Sequence, residues 1–142
     1  MPVFPGDIAA WKKSVERRLT ALATAAFKGP KPTAWVTPAL QAGWTNGASG
    51  FVALRYRKQS FDVVHLLGII QNTSGSSKAA GSLVFTLPAG YRPTASFRST
   101  AAISSPLAIG AVLVASTGNV TNDLVAVANN LFWAIDVAFP TT

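Results

Sequence analysis

Leu131-Phe132-Trp133-Ala134-Ile135-Asp136-Val137-Ala138-Phe139 decides the fold class, because its apolar character alternates with a period of two. Leu131, Trp133, Ile135 and Val137 fall on one side of an extended chain and are uniformly apolar. Phe132, Ala134, Asp136 and Ala138 fall on the other and include a carboxylate. A period of two is the signature of a strand with one buried face. Trp133 is therefore predicted to point into a core, with Phe132 and Asp136 facing outward or toward a subunit boundary.

Working back toward the N-terminus, the same texture persists for a hundred residues. Short runs of Val, Ile, Leu, Phe and Thr are separated by Gly, Asn, Ser and Pro clusters. The runs are Trp35 to Thr37, Phe51 to Lys58, Val63 to Ile70, Ser82 to Thr86, Ser96 to Ile103, Ala108 to Ser116 and Leu124 to Ala128, followed by Leu131 to Phe139. Eight such strands with turn residues between them predict a mainly β chain, an antiparallel β-sandwich or jelly-roll-like head over residues 31–142. Ser60-Phe61-Asp62 and Gly118-Asn119 read as tight connections, and the Ser- and Gly-rich stretch from Asn72 to Gly81 reads as a flexible exposed loop.

Before residue 31 the period changes. Ile8, Trp11, Val15, Leu19, Leu22 and Ala26 recur at spacings of three and four, which predicts one amphipathic helix from Asp7, its N-cap, to about Lys28. Gly29, Pro30 and Pro32 end it. The eleven-residue block from Ile8 to Leu19 departs from a strict heptad and predicts a straight or slightly right-handed coil. An isolated helix of this length is marginal in water. Residues 1–30 are thus read as a trimeric coiled-coil stalk held by Ile8, Trp11, Val15, Leu19 and Leu22; the alternative is a helix packed on its own domain. Trp11 is large for a trimer axis and fits better at its rim.

Composition narrows the function classes. Apolar residues make up 49% of the 142-residue chain and charged residues only 12%, against about 25% charged in a typical soluble domain. Part of the apolar surface is accordingly expected between subunits. The net charge is +7 and unevenly spread. Residues 1–34 carry six cations and two acids, residues 35–98 six and one, and residues 99–142 none and two. Lys and Arg do not gather into one stripe with aromatic platforms, so no nucleic-acid partner is expected. No apolar run approaches the roughly 20 residues of a membrane span, so no membrane insertion is expected. The N-terminus lacks the order of a signal peptide, which predicts a soluble protein made in the cytoplasm.

The chain also lacks the parts of an enzyme. It has no Cys, one histidine (His65) and five acids, so neither a metal site nor a cofactor is expected and a Ser/His/Asp triad would have one base to choose from. Asp62, beside His65, forms the only candidate dyad; the competing reading makes His65 a satisfied core or interface histidine. Arg55, Tyr56, Arg57 and Lys58 form the densest basic and aromatic cluster. Alternation puts Arg55 and Arg57 on one face, where they can clamp a phosphate or carboxylate, or simply form a solvated strand end.

Several segments together resemble the head domains of tailed-phage fibre, baseplate and minor tail proteins. They are Trp35-Val36-Thr37-Pro38, Gly43-Trp44-Thr45-Asn46, Tyr56-Arg57-Lys58, Val63-Val64-His65-Leu66-Leu67-Gly68 and Phe85-Thr86-Leu87-Pro88-Ala89-Gly90-Tyr91-Arg92-Pro93. The likeness spans residues 35–139 and departs at Leu67, where such heads often carry a polar or basic residue. It implies a trimeric β head that binds a host cell-surface glycan, a cell-wall polysaccharide or teichoic-acid-like polymer, in a homotrimer joined to other phage tail or baseplate proteins in the virion. The alternative is a structural tail protein that links or caps components and binds no receptor. In the Leu87–Pro93 run, Pro88 fixes one φ and Gly90 permits an unusual one, so the motif reads as scaffold. Recognition is expected at loop and strand-end residues with planar groups: Tyr56, Arg57, Arg92 and Arg98.

Overall fold

The computed structural model describes residues 8–26, 31–59, 62–104 and 108–141, with side chains in the helix to residue 24. The Asp7 cap, the Gly29-Pro30 break and the Ser60-Phe61 part of a predicted turn lie outside the described residues, as does the side chain of Ala26. The chain divides into a helical unit up to Lys31 and a β unit from Pro32.

In the helical unit, α1 (Ile8–Ala26) contains neither Gly nor Pro. Thr20 and Thr24 turn their hydroxyls back on the carbonyls of Glu16 and Thr20, at 2.9 and 2.8 Å. Lys12 and Glu16 lie one turn apart on its polar side, a pair worth a few tenths of a kcal/mol. Ile8, Trp11, Leu19 and Leu22 are all exposed, and Val15 is half-buried. The helix therefore shows a bare apolar stripe.

The β unit has eight strands: β1 (Trp44–Asn46), β2 (Arg55–Lys58), β3 (Val63–Asn72), β4 (Leu83–Thr86), β5 (Phe97–Ile103), β6 (Ala108–Val114), β7 (Asn119–Asp123) and β8 (Phe132–Pro140). All pairs are antiparallel and all strands belong to one sheet, in the order β1-β3-β8-β5-β6-β7-β4, with β2 sharing the β3 edge that β1 also uses. The sheet curls until its ends nearly meet. Gln41 N donates to Val84 O at 2.8 Å and the Trp44 indole donates to Leu83 O at 3.1 Å, tying the chain just before β1 to β4 at the far end. The mainly antiparallel β architecture follows the sequence reading, with the two opposed layers supplied by one bent sheet.

Two expected strands moved. Trp35 to Thr37 is reduced to a single bridge between Val36 and Tyr56, because the prolines at 32 and 38 confine the segment on both sides. Leu124 to Ala128 is not a strand; β7 precedes it, and Leu124 itself takes a φ of 69°, which ends a ladder for a branched residue. Trp44–Asn46 is a strand that its three-residue length hid from the sequence.

Alternation buries the inward residues. Trp133, Phe139, Phe85, Leu54, Leu66, Ile70 and Leu87 are almost wholly enclosed, each contributing about 1.5–3 kcal/mol by burial. Trp133 sits 6.0 Å from Trp44, ring centre to ring centre, across the closed core. Gly68 occupies an inward position on β3 with φ 141°. A Cβ there would come within 2.6 Å of the Ala53 carbonyl oxygen and overlap the Leu54 Cα, so the missing side chain lets the 52–54 segment cross β3 and insert Leu54.

Two buried asparagines organise the loops. Asn72 donates to Ser76 O and Val127 O at 2.8 and 2.7 Å and accepts from the Ser74 amide and hydroxyl. Gly75 N reaches Asn129 Oδ1 at 2.9 Å. The Asn72 to Gly81 stretch, expected as a flexible loop, is built around this amide. Asn122 donates to Ala79 O and Val125 O. At the opposite end of the sheet, Thr33 is tied to Lys58 and Thr141 to Asp62, so both ends of the β unit are fastened to the β2–β3 hairpin.

Candidate functional site

β2 presents Arg55 and Arg57 outward and Tyr56 inward. Residues 33 to 36 run beside β2, held by Thr33 N to Lys58 O (2.9 Å), Val36 N to Tyr56 O (2.8 Å) and Tyr56 N to Val36 O (2.9 Å). This tether places the half-buried Trp35 indole under both arginines. The guanidinium carbons of Arg55 and Arg57 lie 4.6 and 4.3 Å from its ring centre, within the range of cation–π attraction, about 0.5–1 kcal/mol each at such sites.

Register carries the cluster across the sheet. Arg57 is opposite His65 and Arg55 opposite Leu67, and Leu67 is in turn opposite Asp136 on β8. His65 lies 5.7 Å from the Trp35 ring. Its Nδ1 lies 3.2 Å from Gln59 Nε2 and its Nε2 2.7 Å from Asp136 Oδ1, two contacts that a ring carrying its proton on Nε2 satisfies together. The carboxylate is nonetheless 82% exposed, and its second oxygen remains free to accept from a ligand hydroxyl.

Neither Arg55 nor Arg57 has an acidic partner among the described residues, and the Nε of each is buried without a hydrogen bond. Two oriented guanidinium groups without an internal counterion form a cationic platform suited to an oxyanion, since their planar forks match phosphate and carboxylate oxygens. Asp136 and His65 beside them add an acceptor for hydroxyl groups. Together they can hold a ligand that carries both an anionic group and hydroxyls.

The structure places the four residues singled out for recognition on different elements. Arg57 alone belongs to the cluster. Tyr56 is buried, stacked on Phe85 at 6.2 Å and edge-on to Tyr91 at 5.0 Å; the inward phase of β2 turns it into the core, so its ring is not offered to a ligand. Burial, and then the neighbouring Tyr91, push its phenol above the ordinary tyrosine value. Arg92 is exposed but spends its Nε on Leu87 O at 3.0 Å, bracing the turn that contains Gly90. Arg98, on β5, pairs with Asp123, two strands away from β3 in the sheet order. His65 bonds Asp136 and not Asp62, which instead pairs with Lys58 at 3.3 Å. Trp35 and Asp136 were missing from the sequence-derived site, because only the strand register brings them beside Arg55 and Arg57.

Among the described residues, no helix is long and apolar enough to cross a membrane, and no three His, Asp or Glu side chains gather as a metal site.

No protein-family model matches the chain, and no curated protein sequence matches it. Solved structures do. The receptor binding protein (gp15) of Listeria phage PSA matches with a TM-score of 0.64 and 18% identity, over 99% of this chain and 82% of that one. The head domain of lactococcal phage bIL170, described as a receptor binding domain, matches with a TM-score of 0.55 and 14% identity, over 77% of this chain and 98% of that one. The chain thus has the fold of phage receptor-binding heads. At these identities the likeness assigns no role to any residue.

Proposed function

We propose that this chain is a receptor-binding component of a phage tail, displayed on the virion at a tail tip or fibre, whose β unit adsorbs to a host cell-surface glycan. The observation that carries the reading is the Arg55–Trp35–Arg57 platform beside the exposed Asp136, on a fold shared with phage proteins described as receptor binding. A cell-wall polysaccharide or teichoic-acid-like polymer supplies the combination of anionic groups and hydroxyls that the cluster can hold. A single shallow site of this kind binds weakly. Copies joined through the bare stripe of α1, read as a homotrimer, would multiply it by avidity, roughly 100-fold or more for well-matched spacing.

Retention on isolated host cell walls tests the proposal. The parent chain is expected to pellet with walls, and an Arg55→Ala, Arg57→Ala variant of unchanged fold to remain in solution. A double variant retained as well as the parent moves the binding site away from Arg55 and Arg57, whereas no retention of the parent on any host wall favours the second reading of a structural tail protein; the exposed apolar stripe of Ile8, Trp11, Leu19 and Leu22 also fits that reading, since it suits docking to other tail or baseplate proteins.

A further inference from the structure

The cationic platform and Asp136 share one face of the sheet yet do not pair. Arg55, Leu67 and Asp136 stand side by side on β2, β3 and β8, all at outward positions. Adjacent strands lie about 4.8 Å apart, so the backbones of Arg55 and Asp136 are separated by about 10 Å, with the half-buried Leu67 between them. Both guanidinium groups rest against the Trp35 ring, and neither arginine forms an ion pair with Asp136. His65 holds one oxygen of that carboxylate, and the rest of the group is in water. An open hollow of about 350 Å³, lined by Leu67, Ile69, Ala134 and Asp136 among others, gives room beside it.

Opposite charges that stand this close and stay unmet discriminate between ligands by the ligands' own charge pattern. A ligand that is anionic throughout gains from the two arginines but loses against Asp136, which acts on it as a repulsive element of the kind that specificity uses. A hydroxyl at Asp136 replaces a water on a carboxylate that is 82% exposed, an exchange of one hydrogen bond for another with little net gain. An ammonium group there meets the carboxylate charge for charge and leaves the arginines their anion. Leu67, between the two ends, is an apolar floor for the carbon skeleton that joins them. The complementary ligand therefore carries an anionic group and an amine on one short frame.

We infer that the surface from Arg55 to Asp136 recognises an amine-bearing anionic sugar unit, with Asp136 as the residue that selects its ammonium group. The inference rests on the glycan-binding reading above and names the chemistry of the ligand within it. A phosphate or carboxylate of the unit lies against Arg55 and Arg57, the ring crosses Leu67, and the protonated amine meets the free oxygen of Asp136. His65 is a positioning residue, acting through the carboxylate that it holds.

Titration of the full chain with three sugar phosphates, followed at the Trp35 indole by nuclear magnetic resonance, tests it. Glucosamine 6-phosphate carries both charges, glucose 6-phosphate has a hydroxyl in place of the amine, and N-acetylglucosamine 6-phosphate keeps the nitrogen without its charge. At an ionic strength of about 0.01 M, where screening acts only beyond about 30 Å, the first is expected to bind about three- to fivefold more tightly than the other two, the range of an exposed ion pair. Asp136→Asn should weaken the first and strengthen the other two, which abolishes the preference. Equal binding of all three to the parent overturns the inference, as does a preference that survives in Asp136→Asn. A variant weakened for all three alike overturns it too, since Asp136 would then read hydroxyls. In each of these cases loss of binding in the Arg55→Ala, Arg57→Ala variant keeps the glycan-binding reading in place. A double arginine variant that binds all three as the parent does overturns the platform and the inference together. A parent that binds none of them overturns the inference, while its retention on host walls still decides the reading above.

Discussion

Nε2 of His65 and Oδ1 of Asp136 stand 2.7 Å apart although 71 positions separate them in the chain. The bond joins β3 to β8 diagonally on the outer face, next to the Trp35 ring. Its carboxylate is largely in water, so its contribution to stability is small, about 0–1 kcal/mol. Asp136→Asn is accordingly expected to leave the urea midpoint nearly unchanged while reducing retention on host cell walls, because a charged acceptor for ligand hydroxyls is lost. A large drop in stability with unaltered retention would show a purely structural bond.

Gly68 predicts the opposite balance. A methyl group there meets the backbone of Ala53 and Leu54 and must adopt a φ of 141°. Gly68→Ala should destabilise the β unit by about 2–4 kcal/mol, combining overpacking with backbone strain. Denaturant titration followed by tryptophan fluorescence reads this directly, since Trp44 and Trp133 face the same core.

Asn72 is wholly buried and has both amide atoms engaged by four bonds. Asn72→Ala leaves the Ser76 and Val127 carbonyls without their donor and is expected to cost about 2–3 kcal/mol. Limited proteolysis should then cut within residues 73–77, where the parent resists.

Tyr56 links stability to alkaline pH. Its phenol is held above the usual tyrosine value by burial first and by Tyr91 second, so the folded state keeps the proton more tightly than the unfolded chain. The stability this represents is fully present below about pH 10, where both states keep the proton by ordinary tyrosine values and the neutral ring is the form the core accepts. As pH rises past that point the unfolded state releases its proton first, and stability falls until the folded phenol also ionises. Tyr56→Phe should flatten this alkaline decline in the urea midpoint while leaving the midpoint at neutral pH within about 1 kcal/mol of the parent. An equally steep decline in the variant would assign the effect to another group.

Local pattern made much of the fold legible. The alternation from Leu131 to Phe139 gave the right faces, with Trp133 inward and Asp136 outward, because a two-residue period depends only on neighbours in the chain. β7 was misplaced for the converse reason. Asn119-Val120-Thr121-Asn122-Asp123 looks like a polar turn, and its strand phase is visible only once Asn122 is seen to be buried and bonded to Ala79 and Val125. The shared face of Arg55 and Arg57 was readable from spacing. Trp35 beneath them and Asp136 beyond His65 were not, since both depend on long-range strand pairing. Tyr56 was assigned to recognition by its chemistry, but the phase of β2 sends it inward.

The fastening of Thr33 to Lys58 and of Thr141 to Asp62 puts the entrance and exit of the β unit at one hairpin. A module whose two ends leave side by side behaves as a cassette. It can be spliced into a surface loop of an unrelated carrier with short spacers, or given new ends at the solvent-facing tip near Gly75, without asking the curled sheet to stretch.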